Sequence, residues 1–388
     1  MSKYNFDKEV NRFDTGSIKY DYIKKNNLPS DTIPLWIADM DFETSDEIIN
    51  AMIKTTKDGI FGYTDFGDEY YDTVIDWLNN EHNTYINKEN IIRTPGVIVA
   101  LSLGVRIFTK ENDNVIILNP VYNPFREVIK NNNRNIIESN LKIENNKHYI
   151  DFEDFENKIK DNNVRLFIMC SPHNPVGRVW NIDELTTISN ICEKYNVKII
   201  SDEIHFDFIW ENYMHIVASN VSRYMKENSI ICTAPSKTFN LAGLQDSNII
   251  ILNDDIKNLF IKEYEKFGYH RISQFAQIAT MAAYTYGKEW LNEVKKYIYD
   301  NILYVKKFIN ENIKNIKVID IEGTYLMWLD FRKYDLSAED LNKKLVYDAK
   351  VQLNNGAVFG QEGFMRMNVA TRRKNLEIAL DNIKKAFK

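Results

Sequence analysis

Three cysteines in 388 residues give little to build on. Cys170, Cys192 and Cys232 are odd in number, lack paired spacing and have no clustered histidines beside them, so neither a disulfide framework nor a zinc site is expected, and no metal is assigned. Cys170 and Cys232 end apolar runs and read as small buried hydrophobes. Long apolar runs are missing too. None approaches the ~18 residues of a membrane span, and the N-terminal "MSKYNFDKEV" is polar where a secretory signal needs an apolar centre. The expectation is a cytoplasmic protein with no membrane partner. The chain carries a net charge of −6 and no long basic block, which argues against nucleic acid as a partner; "KNNNRN" reads as solvated loop.

Apolar area is plentiful. A hydrophobic fraction of 44%, with 22 tyrosines and 21 phenylalanines, is enough for one large domain and a smaller one. In the middle of the chain, "VRLFIMC" (164–170), "VKIIS" (197–201), "SIICT" (229–233) and "NIIIL" (248–252) are short continuous apolar runs, as expected of strands buried on both faces. Between the first two, "NIDELTTISNICEKYN" places Ile182, Leu185, Ile188, Ser189 and Cys192 along one helical stripe with acids in its first turn. That is a βαβ unit, whose strands should be parallel. Beyond about residue 270 one long helical pattern leads into alternating "TYLMWLDF", a helix from "SAEDLNKKLVYDA", short strands in "VQLNN" and "FMRMNVA", and a last helix with Leu376, Leu380, Ile383 and Phe387 on one face. The fold class expected is α/β, a large domain with a mostly parallel sheet flanked by helices, plus a smaller α+β domain. The boundaries expected are an N-terminal arm at 1–45, a large domain at 46–285 and a small domain at 286–388.

In an open parallel sheet, residues at the carboxyl ends of the strands share one edge. Here those residues are Asn174, Asp202 with His205, and Lys237. Each has an ordinary explanation when taken singly: a proline-flanked turn, a cap, a satisfied buried histidine, a surface charge. Together, an amide, a carboxylate and a lysine meet the needs of pyridoxal 5′-phosphate. The lysine can form an imine with the aldehyde, the carboxylate can hold a protonated pyridine nitrogen, and the amide can bond the phenolic oxygen. "RTPGVIVALSLGVRIF" offers a seat for the phosphate, with Thr94 as N-cap, Pro95 at the first helical position and Gly96 allowing close backbone approach.

"SPHNPVGRVW", "SDEIHFDFIW" and "PSKTFNLAGLQ" resemble the signature regions of the fold-type I, pyridoxal-phosphate-dependent aminotransferase superfamily. More narrowly, "IPLWIADMDF", "FGYTDFG", "EGTYLMWLDFR" and "FMRMNVATRR" are similar to its cystathionine β-lyase-like C–S lyase branch, the MalY/PatB type. The resemblance covers almost the whole chain and makes a sheet of seven-stranded type the expectation for the large domain. It implies that Lys237 binds the cofactor covalently and serves as catalytic base, that Asp202 pairs with the pyridine nitrogen, that Asn174 bonds the phenolic oxygen and that Tyr122 stacks on the ring. It also implies that Ser236 and the backbone of Val97 and Ile98 hold the phosphate, that Tyr63 reaches it from a neighbouring subunit of a homodimer, and that Arg366 grips the α-carboxylate of an amino-acid substrate. The sequence departs from the commonest aminotransferase pattern at three places: Ala234 for a serine, Gln245 for a phosphate-binding arginine and His205 for a tyrosine. The function implied is α,β-elimination of L-cystathionine or a related cysteine S-conjugate to a thiol, pyruvate and ammonia. A transaminase and a non-catalytic regulatory protein retaining the fold stand as alternatives.

Overall fold

A computed structural model describes residues 3–269 and 271–388. The apolar runs assemble into one sheet of seven strands: β1 (Ile91–Thr94), β2 (Asn114–Asn119), β3 (Asn135–Asn140), β4 (Leu166–Cys170), β5 (Lys198–Asp202), β6 (Ser229–Thr233) and β7 (Ser247–Ile250). Their spatial order is β1-β7-β6-β5-β4-β2-β3. The neighbours β6, β5, β4, β2 and β3 are parallel, while β7 runs antiparallel to both β6 and β1. Continuous apolarity thus marks β7 as buried without revealing its direction. All residues of β4, β6 and β7 are buried, as expected when helices cover both faces of a sheet.

The crossover helix Ile182–Tyr195 begins on Asn181, which forms a reciprocal capping box with Glu184 and so satisfies two orphan backbone donors. The helix before it in the sheet edge starts differently from expectation. Thr94 ends β1, Gly96 is the cap with φ 90°, and the helix runs Val97–Phe108, so Pro95 lies outside it. Thr94 Oγ1 is instead spent on Ser247 Oγ and the Gly96 carbonyl.

A second sheet of four strands follows: β8 (Lys317–Val318), β9 (Leu326–Asp330), β10 (Asn354–Asn355) and β11 (Phe364–Asn368), ordered β8-β9-β11-β10 and antiparallel throughout. Three expectations change here. The long helix is two, Gln274–Tyr286 and Lys288–Asn312, because Gly287 fits against the Phe239 ring where a Cβ would come within 2.4 Å of it. "VQLNN" divides between Val351–Gln352, paired in parallel with Ile33–Pro34, and β10. β9 does not alternate in burial; all five of its residues are buried, since the sheet is covered on both faces. The helix at "SAEDLNKKLVYDA" holds as Ala338–Lys343 and then widens into a π turn, Lys344–Asp348. Leu376, Leu380 and Ile383 are buried on the last helix, with Phe387 at its end. No helix of the described residues is long and apolar enough to cross a membrane.

A buried ionic knot ties the two sheets together. Arg178, after β4, donates Nε to Glu322 Oε2 at 2.8 Å and Nη2 to both oxygens of Glu184 at 2.8 Å, while Lys147 reaches the other Glu322 oxygen at 2.6 Å. Removing one member of such a knot leaves charge buried without its partner. Arg178→Met is expected to lower the unfolding free energy by roughly 3–5 kcal/mol, toward the lower end because Lys147 remains; a shift in the urea midpoint checks it.

Candidate active site

β4, β5 and β6 lie side by side and deliver three polar groups to one edge. Asp202 is the last residue of β5, Asn174 follows β4, and Lys237 follows β6 on the short turn Pro235–Thr238. That turn is locked from below by Thr238, whose hydroxyl donates to Asp207 at 2.5 Å. Just beyond it the buried Phe239 ring packs between Trp77, Tyr284 and Trp290. Lys237 is therefore no surface charge.

Its amine donates to a carbonyl rather than to a carboxylate, Nζ to Ala38 O at 2.8 Å. Burial, assisted by the nearby Arg366 charge and opposed by Asp39 and Asp202, brings its pKa down to about 8. Asp202 moves the other way. Burial raises its carboxyl to about 7, against the Ile204 N–H, at 3.3 Å from Oδ1, and the Lys237 charge. A buried acid and a buried amine whose environments each disfavour charge are the mark of groups kept for a partner.

Arg366, in the middle of β11, is 3% exposed. Its Nη1 donates to Asn174 Oδ1 and its Nη2 to Trp36 O, both at 2.9 Å, while its Nε is buried and unpaired. Burial lowers its pKa to about 10, with Tyr122 and Tyr325 acting against the fall. Tyr122 joins the group through its N–H, bonded to Asn174 O at 3.1 Å. Burial and the Asp202 charge hold its phenol above the usual range. His205 is buried, its pKa pushed well down by burial and then by Lys237 and Arg366, and its Nδ1 has no hydrogen-bond partner.

Val97 and Ile98 open the helix after β1, with free N–H groups directed out of its end. A Cβ on Gly96 would stand 3.1 Å from Gln245 Oε1, so glycine is what lets Gln245 fold over that end. Ser236 is half-buried on the turn that carries Lys237. Tyr63 is not gathered with the others; it is 95% exposed, with the Arg271 guanidinium 5.3 Å from its ring.

The sequence signature of the family described as aminotransferase class I and II matches residues 30–383. The chain belongs to that family. Among curated members it is 38% identical to the cystathionine beta-lyase PatB of Bacillus subtilis (strain 168), over 99% of this chain and 100% of the relative. It is 31% identical to the protein MalY of Escherichia coli (strain K12), over 96% of each. Among solved structures, cystalysin of Treponema denticola, which contains a pyridoxal 5′-phosphate cofactor, superposes with a TM-score of 0.96 at 38% identity, covering 99% of this chain and 98% of that one. The pyridoxal-phosphate-bound C–S lyase of Staphylococcus hominis superposes at 0.92 with 31% identity, over 99% and 98%. The mostly parallel central sheet with its flanking helices is the α/β architecture of fold type I.

One strip of the family fold escaped the sequence reading. Residues 36–42 cross the site as a bent, irregular strap whose carbonyls are taken by side chains: Trp36 O by Arg366, Ile37 O and Asp39 O by Asn368, Ala38 O by Lys237 and Tyr325, Met40 O and Phe42 O by Asn240. Arg12 and Lys19 brace it through Asp39 and Asp41. With Lys237, Asn240 and Gln245, the strap lines a cavity of about 510 Å³. The quoted "WIADMDF" carried the signal, but nothing in its spacing says that its backbone, rather than its side chains, faces the lysine.

Proposed function

We propose that this chain is a pyridoxal 5′-phosphate-dependent carbon–sulfur lyase that carries out α,β-elimination on L-cystathionine or a related L-cysteine S-conjugate, giving a thiol, pyruvate and ammonia. The observation that carries the reading is the meeting of the half-buried Lys237 amine and the buried Asp202 carboxyl on adjacent strand ends, with the buried Arg366 beside them. They fit this cofactor, which needs an amine, an anion for its ring nitrogen and a seat for its phosphate; the unpaired Nδ1 of His205 and the helix end beside Gly96 fit it as well.

When bound, pyridoxal 5′-phosphate supplies an aldehyde that takes up an amine and a ring that accepts an electron pair. Lys237 would hold it, and the free Lys237 amine would take the substrate Cα proton as general base. Asp202 keeps the ring nitrogen protonated, and its own raised pKa falls as it gains that cation. Asn174 has Oδ1 engaged by Arg366, which leaves Nδ2 to donate to the phenolic oxygen. Tyr122 would pack against the ring, with the buried, neutral His205 among the same group of residues. Ser236 and the N–H groups of Val97 and Ile98 hold the phosphate. Arg366 takes the substrate α-carboxylate through its planar fork. With the Cα proton on Lys237, the Cα–H electron pair would become the Cα=Cβ bond as the Cβ–S pair leaves on sulfur, which takes a proton to give the thiol; addition of one water to the remaining three-carbon unit gives pyruvate and ammonia.

The arm at 1–45 and domains at 46–285 and 286–388 belong to this reading, supported by the separation of the two sheets in sequence. So does a cytoplasmic homodimer. Three buried free thiols suit a reducing compartment, and the exposed Ile60, Phe61 and Tyr63 form an apolar run suited to a second subunit, whose phosphate site Tyr63 would complete.

The test is an end-point assay of pyruvate, ammonia and thiol across cysteine S-conjugates with no added keto acid. Stoichiometric release supports the lyase; strict dependence on a keto acid overturns it in favour of a transaminase. Arg366→Lys, which keeps the charge but loses the fork, is expected to raise KM and lower kcat/KM by about 10- to 100-fold, the worth of charged hydrogen bonds; steady-state kinetics on L-cystathionine check it.

A further inference from the structure

Two donors far apart in sequence meet on one oxygen. Ala38 O accepts Lys237 Nζ at 2.8 Å and the Tyr325 hydroxyl at 3.2 Å. A carbonyl oxygen offers two lone pairs, and these two donors use both.

Each part of the arrangement is fixed. Ala38 is clamped because Asn368 Nδ2 bonds the carbonyls on either side of it, Ile37 O and Asp39 O, at 2.6 Å each. Tyr325 is 1% exposed, and its ring stands edge-on to Phe208 at 5.0 Å and to His205 at 5.8 Å. The residue before it, Thr324, has φ 70°, a strained conformation for a β-branched side chain. That strain is held in place from several directions. The Thr324 N–H bonds Phe208 O at 2.7 Å, its carbonyl accepts Trp210 Nε1 at 2.9 Å, and its hydroxyl accepts the Leu326 N–H at 3.1 Å. A backbone strained at a site, with its strain so over-determined, points to a task for the side chain it aims.

We propose that Tyr325 is a positioning residue for Lys237: by occupying one side of the Ala38 oxygen, it confines the ε-amino group to the other side whenever that amine is not bonded to the cofactor. The proposal rests on the reading of Lys237 as the cofactor lysine. An amine released by substrate has a long, flexible stem, and proton transfer requires it at one place. A shared acceptor also holds the protonated amine less firmly than an acceptor it has to itself. The charged groups facing the amine are Arg366 from β11, Asp39 from the strap and Asp202 from β5; His205 beside Tyr325 is neutral. Removing the Tyr325 hydroxyl leaves all of these residues in place and takes from Arg366 one of the two phenols that oppose the fall of its pKa.

The experiment compares wild type with Tyr325→Phe, which retains the ring contacts. The cofactor-free full-length proteins are trace-acetylated with acetic anhydride across a pH series, and modification of Lys237 is read by mass spectrometry against Lys295 in the same sample. Loss of the competing donor should move the Lys237 midpoint up by about half to one pH unit. The pH profile of Cα-deuterium exchange into L-alanine by the loaded proteins should move in the same direction. Fluorotyrosine at position 325 is a stronger donor of the same shape and should move the midpoint down, which also serves if the phenylalanine variant does not fold. An unmoved midpoint overturns the proposal. Borohydride fixation of the cofactor on wild-type Lys237 is scored separately: its failure sinks the proposed function, whereas normal fixation with an unmoved midpoint sinks the role of Tyr325 alone.

Discussion

Lys237→Ala is expected to lose every trace of borohydride-fixable cofactor and to lower kcat/KM for cysteine S-conjugates by about 10³-fold or more, within the range that general-base catalysis and covalent attachment supply. The substitution removes a half-buried amine whose pKa is brought down to about 8, so that a far larger fraction of it is unprotonated near neutral pH than of an ordinary lysine. Because Thr238 and Phe239, immediately after it, anchor the turn, the loss of the side chain should leave the fold standing. Peptide mass mapping after borohydride treatment, followed by kinetics on the same preparation, checks both parts. Full activity in the alanine variant would remove the basis for the enzyme reading.

Asp202→Asn should separate catalysis from stability. In the loaded protein the variant lacks the anion for the ring nitrogen, and breaking such a buried ion pair is worth roughly 3–5 kcal/mol, so kcat is expected to fall by about 10²- to 10³-fold. The cofactor-free protein should respond in the opposite sense. The Asp202 pKa is raised from the usual carboxylate range to about 7. The folded state therefore binds a proton that the unfolded state has released, and the stability this group contributes is complete below about pH 4 and lost as pH rises through 7. An asparagine carries no such penalty. Urea melts of the cofactor-free proteins at about pH 5 and pH 8 should show the wild type losing stability between the two from this group and the variant losing less.

How far the site could be read in advance depended on which part of the chain carries it. Asn174, Asp202 and Lys237 follow uninterrupted apolar runs, so the sheet rule put them on one edge, and the structure places them on three adjacent parallel strands. Arg366 was different. An arginine in "FMRMN" reads as a surface residue by periodicity, and only resemblance drew it to the site; its burial follows from β9, β10 and the strap covering β11, contacts spanning as many as 330 residues. The start of the phosphate-side helix was misplaced because proline and threonine there match a common N-terminal pattern, whereas the backbone turns at Gly96 to make room for Gln245. The break at Gly287 was passed over because a single glycine is tolerated inside a helical pattern, and only the Phe239 ring and the Ala283 carbonyl show that no side chain fits there. Tyr325 and the Ala38 carbonyl were missed for a deeper reason: their importance lies in a shared acceptor, a property of the backbone that side-chain patterns do not encode.

The strap also bears on the order in which the protein becomes competent. Its carbonyls are bonded by Asn240 about 200 residues away and by Asn368 and Arg366 about 330 residues away, while the strands beneath it pair largely with near neighbours in sequence. Contacts of such long range require the greatest loss of chain entropy to form. Closing these loops is therefore expected to follow pairing of the sheet, so that Ala38 O meets Lys237 only once the lysine's own turn is formed.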